Sequence, residues 1–94
     1  MQYIKVIWHH EDPETPVLLF SELDSERNEN RKIEIYADGR RGFADLKEEF
    51  GGTFIGTAPV PPLKEIAADP QFVPSEINAE EFEREWLARR SHVR

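Results

Sequence analysis

The sequence predicts an α+β domain: an antiparallel sheet of about four to five strands with a C-terminal helix packed on one face. Three observations carry this. Short β-branched and aromatic runs follow one another from Tyr3 to Ala44, an Asp-Gly turn joins two of them, and the one strongly signalled helix comes last. That order suits a layered α+β fold rather than alternating βαβ units.

Taken in order, Tyr3-Ile4-Lys5-Val6-Ile7-Trp8 is apolar on both alternating faces and reads as a central strand. Glu11 to Pro16 is a charged loop punctuated by prolines. Val17 to Leu23 reads as a second strand, and Asp24 to Asn30 as a polar connection. Lys32 to Tyr36 alternates as a half-exposed strand does. Asp38-Gly39 readily takes positive φ in a tight hairpin, with Arg41 to Ala44 as the returning strand. Asp45 to Phe50 reads as one helical turn broken at Gly51-Gly52, and Thr53-Phe54-Ile55 as a short last strand. Ala58-Pro59-Val60-Pro61-Pro62 must be extended or turning, and Leu63 to Ala68 reads as a short helix closed by Asp69-Pro70.

The C-terminal helix has the clearest start. Asn78 is a good N-cap, Glu81 lies three residues on, and Ile77 and Phe82 take the flanking apolar positions. Glu80 and Glu81 suit the positive end of the helix dipole, and Arg89 and Arg90 the negative end. Glu80–Arg84 and Glu85–Arg89 have the spacing of pairs worth about 0.3 kcal/mol each. Ala79, Phe82 and Trp86 share one side, which predicts docking on the sheet.

A chain of 94 residues suits one domain, spanning 1–94, with a modest core. Its 38% hydrophobic content and ten aromatic side chains are too rich for a disordered chain. Trp8, Phe20, Phe43, Phe54, Phe82 and Trp86 are the expected anchors. The absence of cysteine excludes disulfides, thiolate metal sites and cysteine nucleophiles. No secretory apolar region opens the chain, and no apolar stretch approaches the ~20 residues that span a bilayer, so a cytoplasmic location is expected.

The charge pattern points to a class of partner. Twelve Lys and Arg against nineteen Asp and Glu leave a net charge of −7, which repels phosphate backbones and anionic membranes and attracts a basic protein. Arg31-Lys32 and Arg40-Arg41 are small basic pairs of the kind that keep sheet edges apart, not a nucleic-acid surface. Between His9 and Asn30 stand seven acids, Glu11, Asp12, Glu14, Glu22, Asp24, Glu26 and Glu29, and one base, Arg27. Gathered in space, these acids would form an electrostatic docking surface; as solvated rims of two connections, they would not.

Catalytic motifs are missing. Ser21, Ser25, Ser75 and Ser91 lie in no G-x-S-x-G setting, and Gly51-Gly52-Thr53 lacks the pattern of a phosphate loop. His9 and His10 on a continuing strand would point to opposite faces and could not share one ion, so no metal and no cofactor is expected. The alternative to protein binding is a small enzyme or ligand-binding domain built on Trp8, His9, His10, Ser21, Glu22 and Arg31, polar groups set among apolar strands.

The segments Tyr3-Ile4-Lys5-Val6-x-Trp8-His9-His10, Pro16-Val17-x-Leu19-Phe20-Ser21-Glu22-Leu23-Asp24, Arg31-Lys32-x-Glu34-Ile35, Asp38-Gly39-Arg40, Pro59-x-Pro61-Pro62-Leu63-x-Glu65-Ile66 and Ile77-x-x-Glu80-Glu81-Phe82-x-x-x-Trp86 together resemble a small bacterial domain family of unknown function. The likeness covers nearly the whole chain and implies no activity, substrate or cofactor. In size and charge the chain also resembles immunity proteins, which neutralise bacterial toxins. The expectation is therefore a non-enzymatic protein-binding module, in its most concrete form an immunity protein that occludes a basic toxin such as a nuclease.

Overall fold

A computed structural model of the protein describes residues 1–90; Ser91 and His92 lie outside the described residues. Its elements are β1 (Gln2–Trp8), β2 (Leu18–Leu23), β3 (Glu29–Ile35), β4 (Arg41–Ala44), β5 (Glu49–Phe50), α1 (Leu63–Ile66), β6 (Phe72–Ile77) and α2 (Ala79–Leu87). The strands form one antiparallel sheet in the order β5-β4-β3-β2-β1-β6. The first five are a meander, and the chain then returns along one face to add β6 beside β1. β1 therefore has strand neighbours on both sides, as its two-sided apolar pattern demands.

The sheet has six strands, where four to five are predicted. The sixth is Phe72 to Ile77, where no strand is predicted and Pro74 stands mid-run. His9 donates its N–H to the Gln71 carbonyl at 2.7 Å, which sets the alternation of the β1–β6 ladder. By that alternation Val6–Pro74 is a non-bonded pair, so the missing N–H of Pro74 falls on the outer side of an edge strand, where proline is tolerated. The outward N–H of Phe72 is taken by the Asp69 carbonyl at 3.0 Å. These two features blunt this edge against further pairing.

Two other expectations are corrected around β5. Asp45 to Phe50 is not a helical turn: the Asp45 carboxylate accepts from the N–H groups of Lys47 and Glu48, each at 2.8 Å, and reverses the chain into β5. Thr53-Phe54-Ile55 is not a strand. Thr53 is buried and its hydroxyl donates to Glu34 at 2.7 Å, seated over Gly42 where a β-carbon would lie 2.1 Å from that hydroxyl oxygen. Phe54 is 62% exposed and anchors nothing, and Trp8 is half-buried; the other four predicted anchors are buried. The hairpin at Asp38-Gly39 forms as predicted, with Gly39 at φ 93°.

Both faces of the sheet are covered. On one, Phe20, Ile33 and Phe43 receive Phe82 and Trp86 of α2, with Tyr3, Leu18, Ile35 and Ile77 around them. Asn78 caps this helix, its side chain accepting from the Glu81 N–H at 2.8 Å. Glu85 bonds Arg41 at 3.0 Å, tying the helix to the sheet, and Arg89 lies over Trp86 and Phe43. On the other face, Ile4, Val6 and Leu23 are covered by Val60, Leu63 and Ile66, that is, by α1 and the extended segment before it.

One ion cluster binds α2 across the strands. Arg31 donates to both oxygens of Glu22, at 2.8 and 2.7 Å, and to Glu83 of the helix, while its guanidinium lies over the Phe82 and Trp86 rings. The Arg31 hydrogen bonds hold the Glu22 carboxyl below its ordinary value of 4.5. Burial, and then Glu22, push the Tyr3 hydroxyl up.

A carboxyl depressed by folding stabilises the fold above its unfolded pKa, and that contribution is lost as pH falls through the folded pKa. Urea unfolding followed from pH 7 to pH 3 should therefore show stability falling below about pH 4.5, and Glu22→Gln should flatten that fall. Arg31→Ala, which strands the buried Glu22 charge, should cost roughly 3 kcal/mol at pH 7, the low end for such a loss because Glu83 is half exposed.

Candidate functional site

The second face of the sheet contains an open-mouthed cavity of about 270 Å³. Its apolar walls are Ile4 and Val6 of β1, Leu19 of β2, Phe72 of β6, Ile66 of α1 and Val60 of the extended segment; Trp8 lines it at the end of β1, and Ser21, Glu29 and Lys32 supply its polar side. Strand alternation explains most of this. Ile4, Val6 and Trp8 recur with period two, and the register sets Leu19 opposite Val6 and Ser21 opposite Ile4.

Glu29 faces the cavity for a different reason. Pairing runs Glu22 with Arg31 and then Leu23 with Glu29, so Asn30 is an extra residue in β3. Without that bulge, Glu29 would share the α2 face with Arg31; with it, Glu29 joins Leu23 and Ser21 on the opposite face. There its Oε1 accepts from the Gly56 N–H at 2.8 Å and from Lys32 Nζ at 3.2 Å, and its Oε2 accepts from the Ser21 hydroxyl at 3.4 Å. Glu29 and Ser21 are buried.

The segment that walls the cavity is fastened by side chains of the β2–β3 turn and of β3. Arg27, at φ 66°, donates to the carbonyls of Val60 and Pro61 at 2.8 and 2.7 Å and to Gln2 at 2.6 Å, and its own carbonyl accepts from the Val60 N–H. Lys32 donates to the Phe54 carbonyl at 3.3 Å. The lone base of the acidic stretch is thus a clasp.

At the mouth, Trp8 donates its indole N–H to Gln71 at 3.1 Å and packs against Phe72 and, edge-on, against His10. His10 Nδ1 accepts from the Asp12 N–H at 3.0 Å, so Nε2 is the nitrogen that donates to the Pro16 carbonyl at 2.8 Å. Both ring nitrogens are occupied within the loop, and His9 is exposed. Among the described residues no group of three or more His, Cys, Asp or Glu side chains is placed to hold a metal ion, and no helix is long and apolar enough to cross a membrane.

The residues singled out from sequence are not brought together. Of the ligand set, Trp8 and Ser21 line the cavity and His10 backs Trp8, whereas Glu22 and Arg31 lie on the α2 face. The seven acids separate likewise. Glu11, Asp12 and Glu14 sit on the β1–β2 loop; Asp24 and Glu26 sit on the β2–β3 turn, at the far end of a six-residue strand roughly 20 Å long. Glu22 and Glu29 are buried in ion pairs on opposite faces. Two of the exposed acids shape turns: Asp12 accepts from the Glu14 N–H and the Thr15 hydroxyl, and Asp24 from the N–H groups of Glu26 and Asn28, bonds that hold both carboxyls below the ordinary value. Lys32, Val60, Ile66 and Phe72 belong to the cavity and were not singled out; Pro59 to Leu63 before a short amphipathic turn is the signal that a segment returns to the sheet.

The family model described as a domain of unknown function, DUF6881, matches residues 2–91 and so takes in both layers, the clasp and the cavity. The chain belongs to this family. No curated protein matches the chain. No solved structure matches it either.

Removing the clasp should open the wall without unfolding the sheet. In Arg27→Ala we expect amide exchange of Gly56 and Val60 to accelerate by about tenfold or more while β1–β3 amides stay protected, since two carbonyls lose charge-assisted bonds. Unchanged protection of those two amides would show that the wall stands without Arg27.

Proposed function

We propose that the domain is a protein-binding module that receives an apolar anchor side chain of a basic partner in the cavity of the second face. The observation that carries this is the cavity itself, an apolar recess open at the surface with a few convergent polar groups, the form that interface anchors occupy. Charge supports the choice of partner. Glu11 and Asp12 follow Trp8 at the mouth, and Glu65 and Asp69 flank Ile66 at and just after α1; all four are exposed, against Lys64. Glu29 and Lys32 offset one another inside. A partner with Lys or Arg beside its anchor would be steered to such a rim.

The docking surface is thus read differently from a single patch of seven acids. Of that set, Glu29 lines the cavity, Glu11, Asp12 and Glu14 lie on the loop that follows Trp8, and Glu22, Asp24 and Glu26 lie on the α2 face or at the other end of β2. A basic toxin, such as a nuclease, is a partner of this chemistry, which keeps an immunity role within the proposal. Binding is favoured over catalysis because Ser21 meets a carboxylate already engaged by Lys32 and Gly56, an arrangement that holds a group in place rather than activating it.

Selection of random peptides displayed on phage against the whole domain tests the reading. We expect recovered peptides to carry an apolar or aromatic residue flanked by Lys or Arg. Ile66→Trp and, separately, Leu19→Phe, which fill the cavity from two sides, should weaken those peptides by about tenfold or more. Glu11→Lys with Glu65→Lys should slow association several-fold at low salt and by less at high salt. Peptides without that pattern, or peptides indifferent to both filled variants, would dismiss the proposal.

A further inference from the structure

Resting on the reading that the cavity receives a partner's side chain, we propose that this side chain is a tyrosine whose hydroxyl donates to Glu29 Oε2. The two oxygens of that carboxylate are unequally engaged. Oε1 is filled by the Gly56 N–H at 2.8 Å and Lys32 at 3.2 Å. Oε2, among the described residues, receives the Ser21 hydroxyl at a long 3.4 Å and nothing shorter. A carboxylate oxygen accepts two hydrogen bonds, and a charged acceptor bordering an apolar cavity gains more from a second donor than it would in open water. The occupant therefore carries a donor.

The donor is neutral. Lys32 already balances Glu29, so a second cation in this recess would lack a counter-charge, a costly state away from water. The occupant's body is aromatic or aliphatic: the walls are Ile4, Val6, Leu19, Ile66 and the Trp8–Phe72 pair, whose ring centroids stand 5.2 Å apart and offer a third ring edge-to-face partners. Size permits it: about 270 Å³ corresponds to roughly nine waters at ~30 Å³ each, room enough for a methylphenol. A phenol meets all three conditions. Phenylalanine lacks the donor, and lysine or arginine brings the unbalanced charge. The basic residues expected of the partner then belong on the rim, not in the recess.

The test uses the whole domain and three side-chain analogues, p-cresol for tyrosine, toluene for phenylalanine and n-butylamine for lysine, each titrated while the Trp8 indole N–H and the Ser21 amide are followed by NMR. We expect p-cresol to bind at least about tenfold more tightly than toluene, the ratio that one charge-assisted hydrogen bond supplies. n-Butylamine should leave both signals in place. Glu29→Gln keeps the size of the side chain and a carbonyl for Gly56 but loses the anionic acceptor, and should remove the preference for p-cresol. Ser21→Ala frees Oε2 of its one long bond and should keep that preference or increase it, which separates the acceptor's role from general damage to the cavity. Equal binding of p-cresol and toluene, or tighter binding of n-butylamine, would overturn the tyrosine assignment and leave the cavity as a site. No movement of either signal with any of the three would remove the cavity reading as well.

Discussion

The segment from Thr53 to Pro62 lies across the second face of the sheet without forming helix or strand, and its main-chain groups need partners there. Three side chains provide them: Arg27 of the β2–β3 turn for Val60 and Pro61, and Glu29 and Lys32 of β3 for Gly56 and Phe54. The second layer depends on these bonds. A sheet of six strands in a chain of 94 residues cannot be covered on both faces by one nine-residue helix, and irregular chain over an apolar face is tolerated only when its polar groups are satisfied. The cavity remains where the segment and α1 fall short of filling the space above Val6 and Leu19.

The two faces solve their charge problems differently. On the α2 face, Arg31 makes four hydrogen bonds to Glu22 and Glu83 and lies over two aromatic rings, so its charge is balanced within the layer. On the cavity face, Glu29 is divided between holding the chain and facing the recess. That difference, more than the number of charged groups, locates the candidate site. It also shows how one strand serves both layers: β3 sends Arg31 one way and Glu29 the other, because Asn30 is an extra residue in its pairing with β2.

The overall charge of the domain is less informative than its placement. Asp12, Asp24 and Asp45 are turn-formers whose carboxylates accept main-chain N–H groups, and Glu22, Glu29 and Glu34 are held by side chains of the sheet or of the loop above it. Much of the acidity is thus spent in building connections. Of the exposed remainder, Glu11 and Asp12 lie just after Trp8 in the chain and Glu65 and Asp69 on either side of Ile66, and this placement underlies the proposed choice of a basic partner.

Sequence by itself determined the elements whose signals are local. The period-two pattern of Tyr3 to Trp8, the positive φ available to Gly39 and the Asn78 cap each act within a few residues, and they set the meander and the final helix in place. Family membership is equally a property of the letters. Tertiary structure decided the rest. Pro74 hides β6 from pattern reading, because a proline is admissible in a strand only once it is known to lie on an outer edge. The bulge that turns Glu29 onto the cavity face is a matter of register between two strands, and the distance that parts the acids of the first loop from those of the second is the length of β2. Charges adjacent in the chain are carried to opposite ends and faces of a sheet because a strand both separates its ends and alternates its sides.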